Sequence, residues 1–179
     1  MGAVTIKDEI FIVGLSRSEL VHRIMIFQAY DTEKDSWISL PAPNIWRREI
    51  SIVVFHEKLF IIPGRENVEP QPKKVEAYDP LQNIWISLPD LPFLYFSPKA
   101  VVLDDKIIVY ENGKEDDRKA DPPVYWDEGA QLWQIIDKSS PWYNTERYSV
   151  FVLDDYQLVK DITAKNRRPG DKWERIFPV

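Results

Sequence analysis

Tyr78-Asp79-Pro80-Leu81-Gln82-Asn83-Ile84-Trp85-Ile86-Ser87-Leu88-Pro89 recurs in altered form on either side of itself. Upstream stands Tyr30-Asp31-x5-Trp37-x2-Leu40-Pro41, and downstream Trp126-Asp127-x5-Trp133-x2-Ile136. Trp37, Trp85 and Trp133 fall at intervals of 48 residues. A fixed period of this size marks a repeat architecture, in which each repeat is one supersecondary unit that buries its apolar face only by stacking on its neighbours.

Working outward from the tryptophan, each period contains four short runs with strand character. The first is apolar and β-branched: Val4-Thr5-Ile6, Ile52-Val53-Val54-Phe55, Val101-Val102-Leu103 and Val150-Phe151-Val152-Leu153. Continuous apolar runs of this length predict a strand buried on both faces. A polar turn follows each, then a second apolar run: Ile10–Gly14, Leu59–Gly64, Ile107–Tyr110 and, more weakly, Gln157–Val159. A variable polar stretch leads to a third run ending at the Tyr/Trp-Asp pair, and the fourth run opens on the tryptophan. The five-residue spacer between them is hairpin length. Helical periodicity is absent, so the expected class is all-β, with four antiparallel strands per repeat as in a propeller blade.

Composition supports a folded chain: 44% hydrophobic and 13% aromatic residues exceed what a disordered segment carries. No apolar run is long enough to span a bilayer as a helix, and the N-terminus lacks a signal-peptide pattern. The formal net charge of −6 argues against general nucleic-acid binding. There is no cysteine, which excludes thiol nucleophiles and thiolate metal sites and fits a cytoplasmic protein. His22 and His56, on different expected elements, are too few for a histidine metal centre. Neither a phosphate-cradling glycine loop nor a Gly-x-Ser-x-Gly elbow occurs. The expectation is a non-enzyme without cofactor.

Long, irregular connections carry the candidate binding residues. Strand direction alternates, so the second-to-third and the inter-blade connections share one end of the blades, and recognition usually lives on such loops. Trp46-Arg47-Arg48, Leu94-Tyr95-Phe96 and Trp142-Tyr143-Asn144 recur at the same offset past each periodic tryptophan. Aromatic and arginine side chains suit binding anchors, and Arg47, Arg48 and Arg147 suit an acidic peptide. The candidate partner-binding set is therefore Trp46, Arg47, Arg48, Tyr95, Phe96, Trp142, Tyr143, Asn144 and Arg147, with sealing of the seams between blades as the alternative role for the aromatics. Trp37, Trp85 and Trp133 are read as packing between blades. Asp31, Asp79 and Asp127 are read as caps for hairpin N–H groups.

The order apolar strand, hairpin, apolar strand with glycine, loop, Tyr-Asp, Trp and Leu-Pro resembles the kelch repeat. The resemblance covers nearly the whole chain: three repeats at about 3–50, 51–98 and 99–147, and a shortened fourth at 148–179, in which Trp173-Glu174-Arg175-Ile176 imitates the fourth-strand signature. It implies a partial kelch-type β-propeller, either an open arc of a longer protein or an atypically closed four-bladed ring. The short-loop form is most similar to the BTB-kelch group, whose members are substrate receptors of cullin ubiquitin ligases and in some cases associate with actin. The resemblance thus implies a protein target, with any cullin contact made by an upstream region outside this chain, and no membrane. It also places Arg48 on the recognition face. A kelch cytoskeletal scaffold is the alternative, and a degenerate secreted oxidase-like or carbohydrate-binding propeller the remote one.

Overall fold

The computed structural model describes residues 2–17, 23–44, 49–64, 73–111, 121–140, 143, 148–153, 156–161 and 174–178. Among them there is no α-helix, and four antiparallel sheets follow one another along the chain. The first blade comprises β1 (Gly2–Ile6), β2 (Glu9–Arg17), β3 (Arg23–Asp31) and β4 (Ser36–Ser39). The second comprises β5 (Ile50–Phe55), β6 (Lys58–Pro63), β7 (Lys74–Asp79) and β8 (Ile84–Asp90). The third comprises β9 (Pro98–Leu103), β10 (Lys106–Glu111), β11 (Val124–Asp127) and β12 (Leu132–Ile135). Each is ordered in space as in sequence. The last sheet has three strands, β13 (Tyr148–Leu153), β14 (Tyr156–Asp161) and β15 (Glu174–Pro178).

The hairpins explain the repeat's polar signature. Between β5 and β6, His56 and Glu57 both take left-handed φ (45° and 58°), as do Asp104 and Asp105 between β9 and β10 (48° and 52°). Two such residues in succession make the type I′ turn that matches strand twist. Between the third and fourth strands, Asp35, Asn83 and Gln131 hold φ of 51°, 56° and 53° at equivalent places. The aspartate that opens each of these turns caps it. Asp31 Oδ1 accepts from the N–H of Glu33 and Lys34, Asp79 Oδ1 from Leu81 and Gln82, and Asp127 Oδ1 from Ala130. The capping role expected of the three aspartates is what the structure shows.

Across the same hairpin the aromatic pair sits face to face. Tyr30 is paired with Trp37, Tyr78 with Trp85 and Trp126 with Trp133. Ring centroids lie 5.1, 5.2 and 5.2 Å apart, tilted at 50°, 47° and 51°. Directly opposite aromatic pairs are the strongest side-chain units of a sheet. The second and third of these pairs also build the seams between blades. Phe11 and Phe27 of the first blade pack on Tyr78 and Trp85 of the second. Phe60, Ile62, Val75 and Ala77 of the second pack with Ile107, Val109, Val124, Trp126 and Trp133 of the third. Burial of each such large side chain contributes roughly 1.5–3 kcal/mol.

Three sequence expectations need correction. The first strands are half-buried rather than buried on both faces, whereas β6 and the middle of β10 are the dry ones. The inner strands meet each other along the axis of the fan, β1 against β5 and β5 against β9, while the second strands lie inside the seams. Trp37 is 51% exposed, although Trp133 at the same register is 7% exposed. Its face of the first blade has no blade against it among the described residues. Finally, Trp173-Glu174-Arg175-Ile176 imitates a fourth strand in sequence, yet β15 pairs with β14 and so occupies the third-strand place.

Candidate functional site

The connections that enter and leave the blades at one end are held by carboxylates buried in the seams. Glu76, in β7, is fully buried and shares a strand face with Tyr78. Its Oε1 accepts from both the main-chain N–H and the Nδ2 of Asn44, at 3.2 and 2.8 Å. Asn44 stands on the stem of the connection that leads to Trp46, Arg47 and Arg48. Glu111, at the end of β10 and 5% exposed, does the same one seam later. Its Oε1 accepts from the N–H of Phe96 at 2.9 Å, and its Oε2 from the N–H of Asp121 at 3.4 Å. A carboxylate taken out of water needs such donors, because an unsatisfied charge there costs several kcal/mol.

The candidate residues divide accordingly. Trp46, Arg47, Arg48, Trp142, Asn144 and Arg147 lie outside the described residues. Tyr95 is completely buried in the second-to-third seam, and its hydroxyl donates to the Pro122 carbonyl at 2.7 Å. Burial pushes its phenol well above the ordinary tyrosine range, with the nearby charges of Asp121 and Glu111 acting in the same direction. Its ring belongs to the apolar cluster between the second and third blades. Phe96 is half-buried beside it and is tied by its N–H to Glu111. Tyr143 is half-buried against Leu103, Ile108 and Ile136, and its N–H donates to the Ser140 carbonyl at 3.0 Å.

On the third blade the two kinds of connection enclose a cleft of about 500 Å³, lined by Asp121, Pro122, Ile135, Ile136, Asp137, Lys138 and Tyr143. Asp137 is pinned by the N–H and hydroxyl of Ser139 at 2.8 and 2.6 Å, and these bonds hold its carboxyl below the usual range. The lining is mixed in polarity and includes two carboxylates, Asp121 and Asp137. Among the described residues no group of three His, Asp or Glu is placed to hold a metal ion, and no helix is long and apolar enough to cross a membrane.

Sequence reasoning missed Glu76 and Glu111. The signal was present: each is an acidic residue at the buried parity of an otherwise apolar strand, Glu76 in step with Tyr78, and Glu111 in step with Ile107 and Val109. An acid at such a position implies donors brought to it from elsewhere in the chain.

Comparison with known proteins agrees with this architecture. Residues 47–92 match the family model of the Kelch motif. The chain is 29% identical over 91 residues to human Kelch repeat and BTB domain-containing protein 13, covering 51% of this chain and 20% of that protein. It is 32% identical over 82 residues to human Kelch-like protein 6 (46% of this chain, 12% of that protein). It is 37% identical over 68 residues to mouse Kelch-like protein 28 (34% and 12%). The chain therefore spans a fifth or less of the length of these relatives. Among solved structures, that of YjhT aligns with 99% of this chain and 64% of its own length, at a TM-score of 0.59 and 16% identity, a likeness of fold.

Proposed function

We propose that this chain, a run of kelch repeats folded as an arc of a propeller, is a non-catalytic protein-interaction module that presents its inter-blade connections to a protein target. The observation that carries the reading is the pair of buried glutamates. Glu76 and Glu111 fix the stems of two successive connections to the following blade. Holding a loop's stem before the partner arrives lowers the ordering cost of binding, which is how a rigid scaffold turns loops into a recognition surface. Arg47 and Arg48 on the first of these connections, and Arg147 on the connection after the third blade, favour an acidic peptide as target. Similarity to BTB-kelch and kelch-like proteins supports the finer reading of a cytoplasmic substrate-recognition part of a cullin ubiquitin-ligase adaptor, with the cullin contact made outside these 179 residues.

The test is charge reversal. Arg47→Glu with Arg48→Glu should reduce capture of the cellular target about ten-fold or more, the loss of one or two charge-assisted contacts, with the unfolding temperature unchanged. Unchanged capture would remove these residues from the site. A fall in unfolding temperature would assign them to the seam. Sedimentation with F-actin tests the cytoskeletal scaffold, which requires co-pelleting; a chain that stays in the supernatant removes that reading.

A further inference from the structure

The repeat itself marks where the third blade departs from the two before it. At the 48-residue period the place of Asp137 is held by Pro89 in the second blade and Pro41 in the first, and that of Asp121 by Lys73 and Met25. The two prolines serve the seams. The Pro41 carbonyl accepts from Trp85 Nε1 at 2.7 Å, and the Pro89 carbonyl from Trp133 Nε1 at 3.1 Å. The Asp137 carbonyl instead accepts from the N–H of Ser140 at 2.9 Å, within its own connection. Of the three complete blades only the third carries a carboxylate at both places, and both line the cleft of about 500 Å³.

Both stretches that carry these carboxylates are held by main-chain bonds. The Pro122 carbonyl accepts from the Tyr95 hydroxyl at 2.7 Å, and the Asp121 N–H donates to the buried Glu111 at 3.4 Å. The Ile136 N–H donates to the Pro123 carbonyl at 2.9 Å, and Ser139 holds Asp137 Oδ1 through its N–H and hydroxyl. Asp137 Oδ2 and both carboxyl oxygens of Asp121 then have no hydrogen bond or ion pair among the described residues. Lys138, the cation of the lining, is exposed and forms no ion pair among the described residues. Apolar surface accompanies the carboxylates: Ile135 is 55% exposed, and Pro122 and Tyr143 are half-buried.

We propose that this cleft receives an arginine or lysine side chain of the target, its charged head held by the Asp121 and Asp137 carboxylates and its methylene stem lying against Ile135 and Pro122. A charge-assisted hydrogen bond needs an ionised acceptor that the chain does not already occupy. The Ser139 bonds, which hold the Asp137 carboxyl below the usual range, keep it ionised at neutral pH. Long basic side chains cover apolar surface with their stems and leave the head at a polar rim, which matches a lining of both kinds; an acidic side chain would meet like charge. This rests on the reading of the connection end as the target-facing surface, and it adds the opposite sign to it. With Arg47 and Arg48 on the first connection, the target carries acidic residues and, at the third blade, a basic one.

The test adds the peptide N-acetyl-Gly-Ser-Arg-Ser-Gly-amide to the full chain and follows the Ile135 and Ile136 methyl groups by NMR. A second peptide has citrulline for arginine, which keeps the shape and removes the charge. The arginine peptide should shift both residues' methyls in a saturable manner, and the citrulline peptide should bind about ten-fold or more weakly, the loss of a charge-assisted contact. Asp121→Asn with Asp137→Asn, which keeps an acceptor for Ser139, should bring the arginine peptide down to the citrulline level. Equal binding of the two peptides by the unaltered chain, or methyls that do not move, would overturn the proposal, as would a double variant that still prefers arginine. The peptide comparison needs no variant, so it decides even where the double variant fails to fold. Charge reversal at Arg47 and Arg48 is read separately: unchanged target capture beside arginine-selective binding in the cleft removes the acidic target and leaves the cleft standing.

Discussion

Replacing the periodic tryptophans one at a time tests whether packing follows register or neighbourhood. A fully buried tryptophan removes about 200 Å² from water. At ~25 cal/mol per Å², and allowing about 1 kcal/mol for the surface that alanine still buries, Trp133→Ala should cost about 4 kcal/mol, within the roughly 3–5 kcal/mol range for such truncations. Trp37, 51% exposed and stacked only on Tyr30, gives up about half that area and leaves no enclosed cavity, so Trp37→Ala should cost about 1.5 kcal/mol. With a urea slope of about 2 kcal/mol per molar, the midpoint should fall by about 2 M for Trp133→Ala and about 0.7 M for Trp37→Ala, read by far-ultraviolet circular dichroism. Phenylalanine separates ring from hydrogen bond. Trp133→Phe loses the donation to Pro89 and should cost about 1 kcal/mol more than Trp37→Phe, which loses none among the described residues. Equal midpoints for Trp37→Ala and Trp133→Ala would refute the reasoning.

Other expectations follow from single contacts. Tyr95→Phe leaves the Pro122 carbonyl without its donor and should lower stability by about 1 kcal/mol while target capture is unaffected; reduced capture at unchanged stability would return Tyr95 to the binding surface. A Cβ on Gly64 would stand 2.8 Å from Glu49 Cβ and 2.9 Å from Pro98 Cδ, so Gly64→Ala should destabilise by roughly 1–3 kcal/mol, and a neutral result would mean the backbone yields there. The hydrogen bond from Lys58 holds the Asp79 carboxyl below the ordinary range against the opposing effect of its burial. A depressed folded value contributes stability that is complete above the unfolded value of about 4 and is lost as pH falls through the folded one. Lys58→Met should therefore flatten the acid limb of the stability profile below about pH 4, and an unchanged limb would show the pair contributes nothing.

The blades were legible in the sequence because their cause is local. An aspartate that caps its own turn and a tyrosine opposite a tryptophan across one hairpin lie within a few residues of each other. What the sequence misjudged depends on partners far along the chain. Tyr95 reads as a loop aromatic until the Pro122 carbonyl, 27 residues on, is found at its hydroxyl. Glu76 passes unnoticed until Asn44, 32 residues earlier, is found donating to its carboxylate. Trp37 reads as core because its local surroundings copy those of Trp133; the difference lies in what stands in front of the sheet. The last sheet misled for a different reason: the Trp173 signature fits a fourth strand, but β14 offers the first open edge it can pair with.

The indole-to-carbonyl bonds between blades also carry a direction in time. In both, the acceptor precedes the donor by 44 residues, Pro41 before Trp85 and Pro89 before Trp133. A polypeptide leaving the ribosome therefore has each acceptor ready before the tryptophan that needs it is made, and domains and repeats tend to fold from the N-terminus as they emerge. Each new blade closes onto a finished surface, so at its growing end the half-made protein shows one unfinished apolar edge at a time.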